Sequence, residues 1–150
     1  MKIKIISSKE KQLEIKNSLK ETPIEFVDEG FDYLLVDQNY KKNEILGKNT
    51  KNEYVILKAS DILYCESFGH EVQAHTKKDV FNIKEKLYEV EGLFESSGFI
   101  RIHRSFVINK NYIKTIKPTF NTKFIITMKN EVNLEVSRSY YYIFKSNIGL

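Results

Sequence analysis

Phe99-Ile100-Arg101-Ile102-His103-Arg104-Ser105-Phe106-Val107-Ile108-Asn109 is the stretch on which the reading of this chain turns. Ile100 and Ile102 alternate with Arg101 and His103, the period of two expected of a strand with one wet face. The alternation stops at Arg104-Ser105, where the chain must turn before the apolar run Phe106-Val107-Ile108. A corner of this kind puts a planar five-donor guanidinium and a short hydroxyl side by side, donors suited to a phosphate or a base edge. The ordinary alternative is an arginine held in a surface ion pair.

Working outward, most of the flanking sequence carries strand signals. Residues 53–58, 62–66, 71–76 and 80–83 are short, rich in Val, Ile and Tyr, and separated by polar breaks. Asn82 with Glu85 has the spacing of a helix start, Ile83, Leu87, Val90 and Phe94 recur at helical spacing, and Gly92 marks the end of that helix. After 99–108 comes a strand at 113–117. A hairpin follows, in which Phe124, Ile126 and Met128 face the same core as Val132, Leu134 and Val136 across a Lys-Asn turn. Residues 137–147 read as a closing helix. Toward the N-terminus, a Lys-Ile alternation predicts a strand at 2–6. Ser7 and Glu10 open a helix over 8–19 that buries Leu13, Ile15 and Leu19, and short strands follow at 24–27 and 33–36. The Lys- and Asn-rich stretch 39–52 fits a linker. The expected architecture is mostly β with few helices: a small βαββ unit at 1–48 followed by a β domain at 52–150.

Composition bounds the function. The chain has 150 residues with a net charge of +4, 41% hydrophobic and 13% aromatic, enough for a real core. No apolar run approaches a membrane span and there is no signal-peptide pattern, so a cytoplasmic protein is expected. The lone Cys65 agrees with a reducing compartment and reads as a small core residue ahead of a redox sensor. The charge is uneven. Residues 1–50 are neutral, 51–98 carry −3, and 99–150 carry +7 with all three arginines, Arg101, Arg104 and Arg138. A basic segment in a folded domain suits a polyanion, and a solvated face is its plain alternative.

Catalysis finds little support. There is no glycine-rich phosphate loop and no paired-cysteine or His-Glu-x-x-His spacing, so no enzyme, metal or cofactor is expected. A zinc site built from Cys65, His70, His75 and a distant His103 is disfavoured, because His70 and His75 stand five apart on a strand and point to opposite faces.

The ordered set Phe99-x-Arg101-x-His103-Arg104-Ser105-x-Val107-x-Asn109, with Ile113 after it, resembles the signature of LytTR DNA-binding domains, output domains of bacterial response regulators and related transcription factors. The similarity extends upstream through Asp61-Ile62-Leu63-Tyr64-Cys65-Glu66 and downstream through the 124–136 hairpin to Val136-Ser137-Arg138, roughly 52–148 in all. The resemblance implies an elongated arrangement of small sheets whose loops, and not a recognition helix, enter double-stranded DNA. It implies base contacts from His70, Arg104 and Arg138, with Arg138 in the major groove. The chemistry agrees: arginine donates bidentately to guanine, and a neutral imidazole donates or accepts. Ser67, Ser105 and Ser139 beside these positions suit phosphate, as does Lys110. Two copies on paired direct repeats, a homodimer on promoter DNA, are implied in the same way.

For the first fifty residues the expectation is a response-regulator-like remnant, or an element for dimerisation or partner binding. Asp37 follows the 33–36 strand where a phosphoacceptor would stand, but Ser7-Ser8 occupies the place of the acidic pair that would hold Mg²⁺. The rival from another class is a regulatory interaction module that sequesters a second transcription factor. RNA binding is a third option, without the aromatic platform motifs that single strands use.

Overall fold

A computed structural model describes residues 1–40 and 42–150, and these residues form two compact units, Met1–Lys42 and Asn43–Leu150. In the first, β1 (Lys2–Ile6) lies between β2 (Glu25–Phe26) and β3 (Tyr33–Val36), parallel to both. Helix α1 (Lys9–Ser18) starts one residue later than the sequence suggested. Ser8 is the N-cap and its hydroxyl accepts from the Lys11 amide at 3.3 Å. Ser7 is buried instead and donates to Asp37. The expected burial of Leu13 is not found: it is 62% exposed, while Ile15 and Leu19 are half-buried. So short a helix over three small strands has too little sheet beneath it to cover its whole apolar stripe.

The linker reading of 39–52 is corrected by the structure, Lys41 lying outside the described residues. Glu44–Lys48 is a strand, β4, and belongs to the second unit. It pairs with β5 (Tyr54–Lys58) along its length and with β8 (Val80–Ile83) at Gly47 and Lys48. Glu44, Lys48 and the Lys and Asn residues around them gave the stretch its linker-like composition, while Ile45 and Gly47 face the core and Leu46 faces outward. Gly47 allows close packing: a Cβ there would stand 2.5 Å from Leu57 Cδ1 and 2.7 Å from Phe81 Cβ. Gly47→Ala is therefore expected to cost about 1–3 kcal/mol, read as a lower urea midpoint at unchanged slope. An unchanged midpoint would place β4 outside the cooperative core.

The seven-stranded sheet runs β5-β4-β8-β7-β6-β10-β9, with β6 (Ile62–Phe68), β7 (Glu71–Thr76), β9 (Phe99–His103) and β10 (Phe106–Asn109). Helix α2 (Leu87–Leu93) buries Leu87, Val90 and Leu93. It starts five residues after Asn82, which remains in β8. Glu89, not Glu85, sits at the third helical position and accepts from the Lys86 amide at 3.4 Å. Ile83 fits the helical spacing yet is buried from the strand. Gly92 lies inside the helix, and the left-handed residue after it is Gly98, φ +91°.

A second sheet, β11 (Ile113–Pro118), β12 (Phe124–Met128) and β13 (Asn133–Val136), is antiparallel throughout. Phe124, Ile126, Met128, Leu134 and Val136 are buried as the alternation predicted, and Val132 packs at their edge. They join Leu63, Tyr64, Ile100, Ile102, Ile108 and Phe144 in one core between the sheets. The C-terminal helix α3 (Tyr141–Ile148) is preceded by a separate 3-10 turn, Arg138–Tyr140. Among the described residues no helix is long and apolar enough to cross a membrane.

Candidate nucleic-acid interface

Antiparallel pairing gathers the C-terminal ends of β6 and β9 with the N-terminal end of β10 at one end of the large sheet. Three short segments emerge there. The β9–β10 corner carries Arg104 and Ser105. The Ser67 amide donates to the Ser105 carbonyl at 3.0 Å, so the two residues predicted to offer phosphate hydroxyls stand side by side, one on β6 and one in the corner. A shift of register between Phe106 and Val107 re-aims the corner. The Ser105 amide donates to His103 Nδ1 at 3.0 Å, which leaves the proton of the neutral imidazole on Nε2.

The β6–β7 hairpin carries His70. Phe68 pairs with Glu71, so Gly69-His70 is a two-residue turn, and Gly69 supplies the positive φ of +59° that such a turn requires. Lys86 Nζ donates to the His70 carbonyl at 2.9 Å, holding the turn while its imidazole stays exposed.

The third segment is the 3-10 turn with Arg138 and Ser139. The Ser137 amide donates to the Ile102 carbonyl at 3.0 Å, placing Arg138 beside the last residues of β9. Arg138 Nε donates to the Asn121 carbonyl at 3.3 Å, in the loop between β11 and β12. Its Nη1 and Nη2 have no partner among the described residues, nor does the guanidinium of Arg104, and both side chains are exposed. Neither arginine is in the surface ion pair that was the ordinary alternative.

One residue stands apart. Lys110 follows Asn109 at the opposite end of β10, where its amide donates to the Gly98 carbonyl at 2.9 Å. Four strand residues separate it from the corner, roughly 13 Å.

Arg101 departs from the wet-face reading. Its side chain is 16% exposed. Nε donates to the His103 carbonyl at 2.8 Å and Nη2 to the Arg104 carbonyl at 2.6 Å. Nη1 lies 3.7 Å from Glu91 on α2, and the guanidinium stands 6.0 Å from the Tyr140 ring centroid. One side chain thus ties the corner, the helix and the Arg138 turn together. Alternation alone put it outward; only the packing of α2 and the 3-10 turn beside β9 shows that it is engaged. Asn109 is likewise structural. It is 1% exposed, donating to the Ile62 carbonyl at 3.1 Å and accepting from the Asn111 amide at 3.1 Å.

The zinc alternative does not assemble. Among the described residues no group of three metal-ligating side chains occurs. His75 stacks on Tyr64 at 4.3 Å, with Nε2 3.4 Å from Glu66. Burial lowers the His75 pKa and raises that of Glu66, so the two meet as a neutral imidazole and a carboxyl drawn toward its own neutral form, not as an ion pair. Cys65 is fully buried, and burial pushes its thiol far above the usual range, as a core residue requires. In the first unit, Asp37 accepts from Lys11 at 2.9 Å, the Asn39 amide at 2.9 Å and Ser7 at 3.2 Å; the Lys11 bond leads in holding its pKa down.

The model of the LytTr DNA-binding domain matches residues 52–149. The chain belongs to the LytTR family. A LytTr DNA-binding domain from Bacillus cereus superposes with a TM-score of 0.68 at 30% identity, covering 73% of this chain and 99% of that one. The sensory transduction protein LytR of Staphylococcus saprophyticus is 32% identical over 114 residues, 76% of this chain and 45% of the relative. The sensory transduction protein LytT of Bacillus subtilis is 37% identical over 86 residues, 57% of this chain and 36% of the relative. The chain thus spans less than half the length of these two relatives. The mostly-β, multi-sheet architecture is that of the LytTR domain.

Proposed function

We propose that this LytTR chain is a transcriptional regulator that reads double-stranded DNA with the end of the large sheet. The observation that carries the reading is the donor set left free there: the exposed side chains of Arg104 and His70 and the Nη1 and Nη2 groups of Arg138, on three segments fixed by hydrogen bonds. Guanidinium Nη groups with no protein partner are donors from which guanine O6 and N7 accept. Ser67, Ser105 and Ser139 lie within two residues of a proposed base reader or on the strand beside it, and serve phosphate oxygens. Lys110, at the far end of β10, is assigned a phosphate further along the duplex. Two copies occupy adjacent direct repeats. Six phosphate contacts per bound unit would give a log–log salt slope near −5. Of the expected N-terminal element 1–48, the strand β4 packs in the second unit, and the first unit, Met1–Lys42, supplies a dimerisation or partner element through its small parallel sheet.

Enrichment of duplexes from a random pool tests this. The expected product is a consensus of two direct half-sites. Arg138→Ala should then lose about 1–3 kcal/mol of discrimination at one base position. Lys110→Ala should weaken all duplexes alike and lower the salt slope by about one. An Arg138→Ala protein that binds selected and scrambled duplexes as the parent does would overturn the assignment. No shift at low salt, with a stable complex to a second protein, would favour the sequestering module instead.

A further inference from the structure

Phe120 is 109% exposed, more open to water than any other large hydrophobic side chain of the chain. It stands at the tip of the β11–β12 hairpin, and no aromatic or cationic side chain among the described residues packs on its ring. A single exposed apolar residue is ordinary on a protein surface. The loop that presents this one is not. Thr119 donates to the Lys123 carbonyl through both its amide, at 2.9 Å, and its hydroxyl, at 3.0 Å. Thr122 takes the left-handed conformation, φ +57°, and the next residue after Phe120, Asn121, accepts from Arg138 Nε. The loop is therefore built onto the arginine proposed to read a base, and the ring is its outermost group.

The surroundings argue for what covers the ring. Residues 99–150 carry +7, so a second copy of this face would bring like charge against like. A polyanion with apolar features on its base edges fits both the charge and the ring. In the major groove the apolar feature is the thymine 5-methyl group, a known partner of phenylalanine.

We infer that Phe120 is a specificity residue whose ring packs on the methyl of a thymine neighbouring the base read by Arg138. The inference rests on the DNA reading proposed above. Burial of one methyl is worth a factor of about three to five in affinity. With the enriched duplex as probe, deoxyuridine is substituted for each thymine in turn and binding is measured by fluorescence anisotropy. One substitution should weaken the unaltered protein by about that factor and leave Phe120→Ala unaffected, with Phe120→Leu in between. Phe120→Ala should also weaken the parent duplex by about tenfold while keeping the salt slope, since no charge is removed. Unfolding midpoints of both variants should match the parent, because the ring has no protein contact to lose. If every thymine substitution acts equally on the parent and Phe120→Ala, the inference falls while Arg138→Ala can still uphold the DNA reading. If no duplex is enriched at all, both fall.

Discussion

Phe144→Ala should unfold the second unit more readily than any surface change, at a cost of about 3–5 kcal/mol. Phe144 is fully buried, its ring 5.3 Å from that of Phe124, and it is the only buried residue of α3. Its removal opens a cavity walled by strands of both sheets, which cannot collapse without breaking their pairing. Stacking of Tyr141 on Phe124 at 4.8 Å is too peripheral to substitute. For a unit of about 100 residues the melting temperature should fall by roughly 4–8 °C per kcal/mol. Tyr142 and Ile143, next to it on the helix, are 74% and 56% exposed, and their alanine variants should stay within about 0.5 kcal/mol of the parent. Equal losses from Phe144 and Ile143 would mean that α3 does not dock through the described face. A functional consequence follows from chain order. Residues 138–140 lead directly into α3, so loss of the anchor should also loosen the turn that holds Arg138.

Strand identity was legible wherever alternation was uninterrupted, because one face of each strand meets the core and the other meets water. The 124–136 hairpin shows this: Phe124, Ile126 and Met128 alternate and all are buried. Reading failed where a decision depends on distant partners. β4 is half polar by composition and became a strand because β5 and β8 flank it. Asn82 has the chemistry of a helix cap, but the pairing of β8 with β7 holds the chain extended through Ile83. At the candidate interface the exposed residues Arg104, Arg138 and His70 could be named from the motif. Two features could not. The distance of Lys110 from the corner is set by the direction of β10, and the engagement of Arg101 by elements that lie ten residues upstream and nearly forty downstream in the chain.

Arg101→Ala is the substitution expected to couple stability to recognition most strongly. It removes two charge-assisted hydrogen bonds, to the His103 and Arg104 carbonyls, and the approach to Tyr140. The Arg104 carbonyl can turn to water, whereas the bond to His103 is part-buried, so the loss should be about 2–4 kcal/mol and not the full sum of three contacts. The Arg101–Glu91 pair adds a pH signature. Burial raises the Glu91 pKa above 4.5 and the Arg101 charge pulls it back down. Without Arg101 the Glu91 carboxylate destabilises the fold at neutral pH, because a carboxyl with a raised folded pKa binds its proton more tightly when folded. The deficit of Arg101→Ala should therefore be largest above the folded pKa of Glu91 and shrink as pH falls through it toward 4.5. Adding Glu91→Gln should remove that pH dependence and leave the hydrogen-bond loss. Arg101→Lys keeps the charge but cannot bridge both carbonyls, so it should restore the pH profile more fully than the stability. Below the melting transition, Arg101→Ala should still weaken DNA binding about tenfold, since the corner and the Arg138 turn lose the group that orders them before the duplex arrives. A variant that melts early yet binds as the parent does when folded would show that the backbone hydrogen bond from Ser137 to Ile102 suffices to hold the two arginines in place.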